Sequence, residues 1–198
     1  MTRRRAIGMM GGALWLIGIC AAFEAWALVT IRTTVAAVAL VAMLPVIAAL
    51  VAIGISNIRA VLRLPGTMTP RTEQDRRMGR RFGWVVALEV AGFMVVNTLL
   101  ASTNRIVLIP AADLIIVGLH FFPLARLFRV RRYYPMAILF SAIPALVVLA
   151  VPETMRIGQA QMWWVLPTLG CGVVGMVTAA GSLREVRRCL DNPSVCFE

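Results

Sequence analysis

The chain has 198 residues, of which 60% are hydrophobic, and its formal net charge is +11. A composition this apolar excludes a soluble globular domain, and the apolar runs lack the period-two alternation of a transmembrane β-barrel. The sequence therefore predicts an all-α integral membrane protein, a six-transmembrane-helix bundle of antiparallel hairpins, with a single membrane domain over residues 1–198.

Six apolar runs define the predicted helices. Each has 18 residues or more, which at about 1.5 Å of rise per residue is enough to cross a hydrocarbon core of roughly 30 Å. Each run contains at most one carboxylate. The predicted helices span residues 6–31, 33–55, 82–103, 106–124, 134–151 and 162–181.

The first predicted helix also carries features of a secretory signal. Three arginines at residues 3–5 precede the apolar stretch, and Ala25-Trp26-Ala27 fits a small-x-small cleavage site. The stretch over residues 6–23 has 18 residues, however, whereas signal-peptide cores have about 7–15. We expect an uncleaved first helix, with cleavage as the alternative.

Small residues in the first and last helices predict packing seams. Gly8 and Gly12 form a GxxxG pattern, and Cys171, Gly175 and Ala179 follow one another at four-residue spacing. Such stripes let two helix backbones approach closely. The pattern fits packing within one chain, and it fits a homodimer or a partner membrane protein equally well.

Residues 56–81 are predicted to form an Arg-rich cytoplasmic loop. Residues 64–67 have turn chemistry. Thr69 and Pro70 fit the start of a helical segment that leads into the third helix, with Glu73 and Arg77 paired four residues apart. We interpret the loop as a collar on anionic lipid, and a docking arm is the alternative.

The basic residues, all of them Arg, are unevenly distributed over the connections. With the N-terminus inside, all of the 20 except Arg32, Arg105 and Arg156 lie on the cytoplasmic side. This is the positive-inside distribution, so both termini are predicted to be cytoplasmic and the charge requires no nucleic acid. The predicted partner is a lipid bilayer with anionic headgroups.

Five polar residues inside the apolar runs form the candidate intramembrane site. Counted at about 1.5 Å per residue, Glu89 and His120 lie about 5 and 7 Å to the cytoplasmic side of their helix midpoints. Because a two-residue turn joins their helices, these two side chains are predicted to interact. Asn97, Asp113 and Glu24 fall in the outer half and form a second predicted layer. We also expect Glu89 and Asp113 to point into the bundle, because a carboxylate that faces lipid is costly.

This polar set has two interpretations. A carboxylate–imidazole pair at depth is a candidate proton relay or a counter-charge for a substrate. The same side chains could instead be hydrogen bonds that hold helices together, which in membranes contribute about 0.6 kcal/mol each. Convergence of the polar groups on a cavity would favour the first interpretation, and separately paired side chains would favour the second.

The sequence predicts no cofactor and no metal. Cys20 and Cys171 lie inside predicted helices, whereas Cys189 and Cys196 lie in the predicted cytoplasmic tail at a spacing that fits no common zinc motif. The chain has one histidine, His120, and it contains neither a P-loop nor a dinucleotide fingerprint. These features do not favour an enzyme.

One stretch resembles a known group of sequences. Residues 118–125, Gly-Leu-His-Phe-Phe-Pro-Leu-Ala, are followed by Arg-Leu-Phe. The stretch resembles a recurrent element of small, uncharacterised bacterial multi-pass membrane proteins, and the likeness extends over about residues 82–140. The resemblance implies a multi-pass protein of the bacterial cytoplasmic (inner) membrane, and it implies no activity.

Together these features predict a small transporter or proton-coupled carrier that uses the intramembrane polar pair. The alternative is a non-catalytic membrane factor that binds a partner helix or lipid. The discriminating feature is whether the polar side chains share a cavity.

Overall fold

The computed structural model describes residues 3–63 and 72–192, with side chains from residue 6 onwards. In these ranges six helices are long and apolar enough to cross a membrane. The helices are α1 (Arg3–Ile31), α2 (Thr34–Arg63), α3 (Glu73–Ser102), α4 (Ile109–Phe128), α5 (Tyr133–Ala150) and α6 (Met162–Asp191). A short 3-10 helix (Ile106–Leu108) precedes α4, and a small antiparallel pair of strands, β1 (Arg156–Ile157) and β2 (Ala160–Gln161), connects α5 to α6.

The predicted loop over residues 56–81 is wrong at its start, whereas the predicted helical lead into the third helix is present from Glu73. Helix α2 continues to Arg63 and α3 begins at Glu73. Residues 56–63 contain no proline or glycine to stop the helix, and their buried side chains, Asn57 and Val61, still pack on the bundle. The end of an apolar run shows where side chains are no longer required to be apolar, and the helix itself can continue beyond that point. For the same reason α6 extends ten residues beyond the predicted residue 181, to Asp191.

A capping box starts α3. The Thr72 hydroxyl accepts a hydrogen bond from the Asp75 backbone N–H, and the Asp75 carboxylate accepts one from the Thr72 N–H, so two otherwise unpaired donors are satisfied. The predicted Glu73–Arg77 ion pair is present at 3.4 Å. The predicted turn at residues 64–67 and the predicted helix start at Thr69 and Pro70 lie outside the described residues.

Short connections bring consecutive helices together. Arg32, Asn104 and Arg129 adopt left-handed backbone conformations with φ of 53°, 58° and 54°, which lets the chain reverse direction within a few residues. Gly158, with φ 58°, occupies the turn between the two strands, where an added Cβ would meet the Ile31 carbonyl at the end of α1.

Helix α6 is the centre of the bundle. It packs against α1, α2, α4 and α5. One core cluster joins α1 to α6 through Met10, Ile17 and Leu183, and another joins α4, α5 and α6 through Leu114 and Phe140 among others. Helix α3 differs from the rest because it packs mainly against α4 and contains no buried residue. It is therefore the peripheral helix of the molecule.

Candidate functional site

The predicted interaction between Glu89 and His120 is confirmed. Glu89 Oε1 of α3 lies 3.1 Å from His120 Nδ1 of α4, and the two side chains are 15% and 14% exposed. Both are therefore largely covered, although neither is sealed off. A separation this short fits a direct hydrogen bond, and no bridging water is needed.

The surroundings of the His120 ring assign its hydrogen. Nδ1 also lies 2.8 Å from the backbone carbonyl of Val117, one turn earlier in α4. Because a carbonyl can only accept, Nδ1 carries the hydrogen and donates it to the Val117 oxygen, with the Glu89 carboxylate next to it as an ion-pair partner. Among the described residues no side chain or carbonyl hydrogen-bonds Nε2, so this nitrogen is available to take up a proton.

The sequence of α4 positions the ring. Phe121 lies against the imidazole with ring centroids 4.4 Å apart, and it also contacts Tyr133 and Phe140 of α5. Pro123 lies inside α4 and has no N–H, so the helix lacks one of its internal hydrogen bonds at this level. The imidazole is thus held between an aromatic cluster on one side and Glu89 of α3 on the other.

A second polar pair lies further along the same interface. The side chains of Asn97 of α3 and Asp113 of α4 face each other within hydrogen-bonding reach. One oxygen of each side chain, Oδ1 in both cases, is buried without a hydrogen-bond partner. Asn97 is eight residues after Glu89 and Asp113 is seven before His120, so about 10–12 Å separates the two pairs along the helices.

The α3–α4 contacts follow one register. Phe82 lies against Phe128, Glu89 against His120, and Asn97 against Asp113. Along this series the residue numbers increase in α3 and decrease in α4, so the two helices run in opposite directions through this interface. Glu89 and Asp113 are partly buried at this contact.

Glu24 does not join this interface, so the predicted outer layer of Glu24, Asn97 and Asp113 is wrong. Its side chain is 6% exposed and belongs to the contact between α1 and α6. A Cβ added at Gly172 of α6 would lie 2.6 Å from Glu24 Oε1, which shows how closely the carboxylate approaches that backbone. In the described part of the chain, no hydrogen bond or ion pair links Glu24 to another side chain.

The two predicted packing seams have different environments. Cys171, Gly175 and Ala179 are buried, and Gly175 faces Cys20 of α1. Gly8 and Gly12 are exposed, and an added Cβ at either would meet no atom within 4 Å. The GxxxG pattern therefore makes no packing seam with any described part of the chain, because α1 turns its other face towards α6.

Asn57 is a buried polar residue that the sequence analysis missed. It is fully buried in α2 and donates a hydrogen bond of 3.1 Å to the Leu183 carbonyl of α6, while its Oδ1 has no partner. Its position between Ser56 and Arg59 resembled a loop. The available signal was the continued helical spacing of Gly54, Asn57 and Val61 on one buried face.

The polar pairs lie apart from two depressions on the surface of the described residues. These depressions have volumes of about 350 and 540 Å³. One lies at the α4–α5 connection and the other on the outer surface of α3, and neither is lined by Glu24, Glu89, Asp113 or His120. Within residues 3–63 and 72–192, no three His, Cys, Asp or Glu side chains are grouped so that they could hold a metal ion.

No known family matches the chain, and no characterised protein or solved structure is significantly similar to it. The resemblance of residues 118–128 to small bacterial membrane proteins therefore stays a prediction.

Proposed function

We propose that this chain is a small proton-coupled carrier of the bacterial cytoplasmic membrane, a bundle of antiparallel hairpins with both termini in the cytoplasm. The proposed proton-binding site is the Glu89–His120 pair. One observation carries the proposal: Nδ1 of His120 donates to the Val117 carbonyl and lies 3.1 Å from the Glu89 carboxylate, while Nε2 has no hydrogen-bond partner among the described residues.

The pair has the chemistry of a reversible proton site. A neutral ring takes a proton at Nε2, and the positive charge that results spreads over the imidazolium next to the carboxylate. The pair then changes from a net charge of −1 to a net charge of zero. Because an uncompensated charge is costly within hydrocarbon, one partner supplies the counter-charge that the other needs.

Helix α3 is the element that responds in this proposal. It packs mainly against α4 and contains no buried residue, so a small number of polar contacts contributes a large share of its attachment. A proton that changes the charge of the Glu89–His120 contact therefore changes how firmly α3 is held. The free energy that holds α3 to α4 would then differ between the protonated and the unprotonated pair. A movement that is coupled to protonation requires such a difference.

The orientation follows from the arginine distribution and has its own test. Topology reporters at Arg32, Arg105 and Arg156 are expected to read as external, and a reporter at Arg131 as internal. A reporter after Leu190 that read as external would overturn the six-span arrangement.

The proton site can be tested directly because the chain has a single histidine. In protein labelled with ¹⁵N-histidine, NMR is expected to show the Nδ1–H form of the neutral ring and protonation at Nε2 as the pH falls. A pH jump applied to proteoliposomes should then displace charge. We expect the displacement to disappear in Glu89→Gln and His120→Phe.

Glu24→Gln is the matched control, because it also removes one buried carboxylate but lies at a different interface. We expect it to retain the charge displacement. If Glu89→Gln and His120→Phe displaced as much charge as the unmodified protein, the pair would not be the proton site. An Nε2–H tautomer with no response to Glu89→Gln would contradict the proposal independently.

A second candidate function rests on the outer surface of α3. Trp84, Leu88, Val95 and Leu99 follow one helical face and are 60–71% exposed, and Glu89, Asp113 and His120 line neither of the two described depressions. This arrangement favours a non-catalytic membrane factor that binds a partner helix. A photo-crosslinking residue at Leu88 should then capture one partner in the native membrane, whereas one at the equally apolar Val173 of α6 should not.

A further inference from the structure

The connection between α4 and α5 concentrates positive charge around a depression. Arg126 lies in the last turn of α4, Arg129 caps the helix in a left-handed conformation, and Arg131 lies in the turn that leads to α5. These three arginines, with Ala125 and Tyr134, line a depression of about 350 Å³.

None of these three arginines has an anionic partner among the described residues. The neighbouring Arg132, by contrast, pairs with Glu185 of α6. Three guanidinium groups around one depression repel one another, so an anion bound between them would lower their electrostatic energy. Guanidinium groups suit phosphate in particular, because their planar forks donate two parallel hydrogen bonds to its oxygens.

The floor and wall of the depression are fixed by packing. Ala125 is 1% exposed, and the Tyr134 ring contacts Phe122 of α4 with centroids 6.4 Å apart. Tyr134 thus lines the depression together with the arginines, and its hydroxyl is a further group able to donate a hydrogen bond. Other arginines of the chain differ: Arg77 and Arg80 approach Glu73, and they lie on the exposed start of α3.

We propose that this depression binds the phosphate of an anionic phospholipid headgroup. The apolar surface beside it favours lipid over free phosphate. Leu119 lies two turns before Arg126 on the same face of α4, Ile138 lies one turn after Tyr134 on the same face of α5, and both are 55% exposed. An acyl chain could therefore follow these two helices while its headgroup occupies the arginine site.

The test compares two triple variants that lose the same charge. The site variant is Arg126→Gln/Arg129→Gln/Arg131→Gln. The control variant, Arg32→Gln/Arg105→Gln/Arg156→Gln, removes three arginines that line neither depression, lie outside the predicted lipid collar and belong to no ion pair in the described ranges. The probes are phosphatidylglycerol, phosphatidylcholine and inorganic phosphate, and the measurements are thermal stabilisation in detergent and lipid retention by native mass spectrometry.

We expect phosphatidylglycerol to stabilise the unmodified protein and the control variant, with half-saturation at least about tenfold weaker in the site variant, since each Arg near an anionic headgroup contributes roughly a fivefold factor. Phosphatidylcholine should have little effect. If both variants bound phosphatidylglycerol equally, the depression would not be the site. Equal stabilisation by inorganic phosphate at the same concentration would overturn the lipid assignment.

A second pair of variants guards against misfolding. Tyr134→Phe retains all the arginines and the ring packing, and Arg131→Gln removes one guanidinium from the turn. Each should weaken phosphatidylglycerol binding while leaving the melting temperature without lipid unchanged. Unaltered lipid binding in both would contradict the proposal even if the triple variant failed to fold.

Discussion

Replacing Glu89 and His120, singly and together, measures how strongly α3 is held to α4. The substitutions are Glu89→Leu and His120→Leu, which remove the polar atoms and keep apolar side chains of moderate size. We expect each single change to destabilise the protein and the double change to cost less than the sum of the two. The difference is the coupling energy of the pair.

The structure sets the expected size of that coupling. Hydrogen bonds between membrane helices average about 0.6 kcal/mol and reach about 1.7, whereas exposed ion pairs contribute about 0–1 kcal/mol. The 3.1 Å contact joins two side chains that are only 14% and 15% exposed, and it can be charge-assisted. We therefore expect a coupling of about 1–1.7 kcal/mol, which is roughly a tenfold change in the unfolding equilibrium constant.

The second polar pair provides an internal control for the assay. Unfolding free energies are measured in mixed micelles for the Glu89–His120 cycle and for a matching cycle of Asn97→Leu and Asp113→Leu. Because about 10–12 Å separates the pairs along the helices, changes in one pair should add to changes in the other within about 0.5 kcal/mol. A Glu89–His120 coupling below about 0.3 kcal/mol would show that the two residues act independently and would refute the reasoning.

Three further predictions use the same unfolding measurement. Gly118→Ala should cost about 1–3 kcal/mol, because the added methyl would lie 2.8 Å from the Ser141 backbone nitrogen; a cost below 0.5 would mean that α4 and α5 can separate freely. Gly12→Ala, with no atom within 4 Å, should be neutral or stabilising by up to about 1 kcal/mol, and a clear loss would place Gly12 at an interface between copies. Glu24→Gln should be neutral or slightly stabilising, because it removes a charge that no described side chain compensates; a loss above about 1 kcal/mol would reveal a partner.

The predictable part of the site was the part fixed by helix geometry. Hydropathy located the six helices, and the rise per residue placed Glu89 and His120 at one level. The short connection around Asn104 then made α3 and α4 neighbours. The matched depth of the two residues and the adjacency of their helices were together sufficient to predict the Glu89–His120 contact, which the structure forms at 3.1 Å.

The errors came from information that hydropathy does not carry. The depth counted along each predicted helix placed Glu24 at the level of Asp113. Depth does not determine which helices are neighbours, however, and α1 packs on α6 and α2 rather than on α3. The helix ends were misplaced for a related reason. Ser56 and Asn57 end the apolar run after residue 55, yet the helix continues to Arg63 because residues 56–63 contain no proline or glycine.

Glu24 and Glu89 show why a buried carboxylate is not by itself a functional site. Each is a single acidic residue within an apolar run, so the sequence gives them equal weight. In the structure Glu89 has an imidazole 3.1 Å away, whereas Glu24 lies against Gly172, which offers space and no side-chain donor. A proton taken up by His120 beside Glu89 changes an ion-pair contact between two helices, whereas a proton taken up by Glu24 changes no hydrogen bond or ion pair among the described residues. Glu89 is therefore the carboxylate beside which proton uptake has a structural consequence.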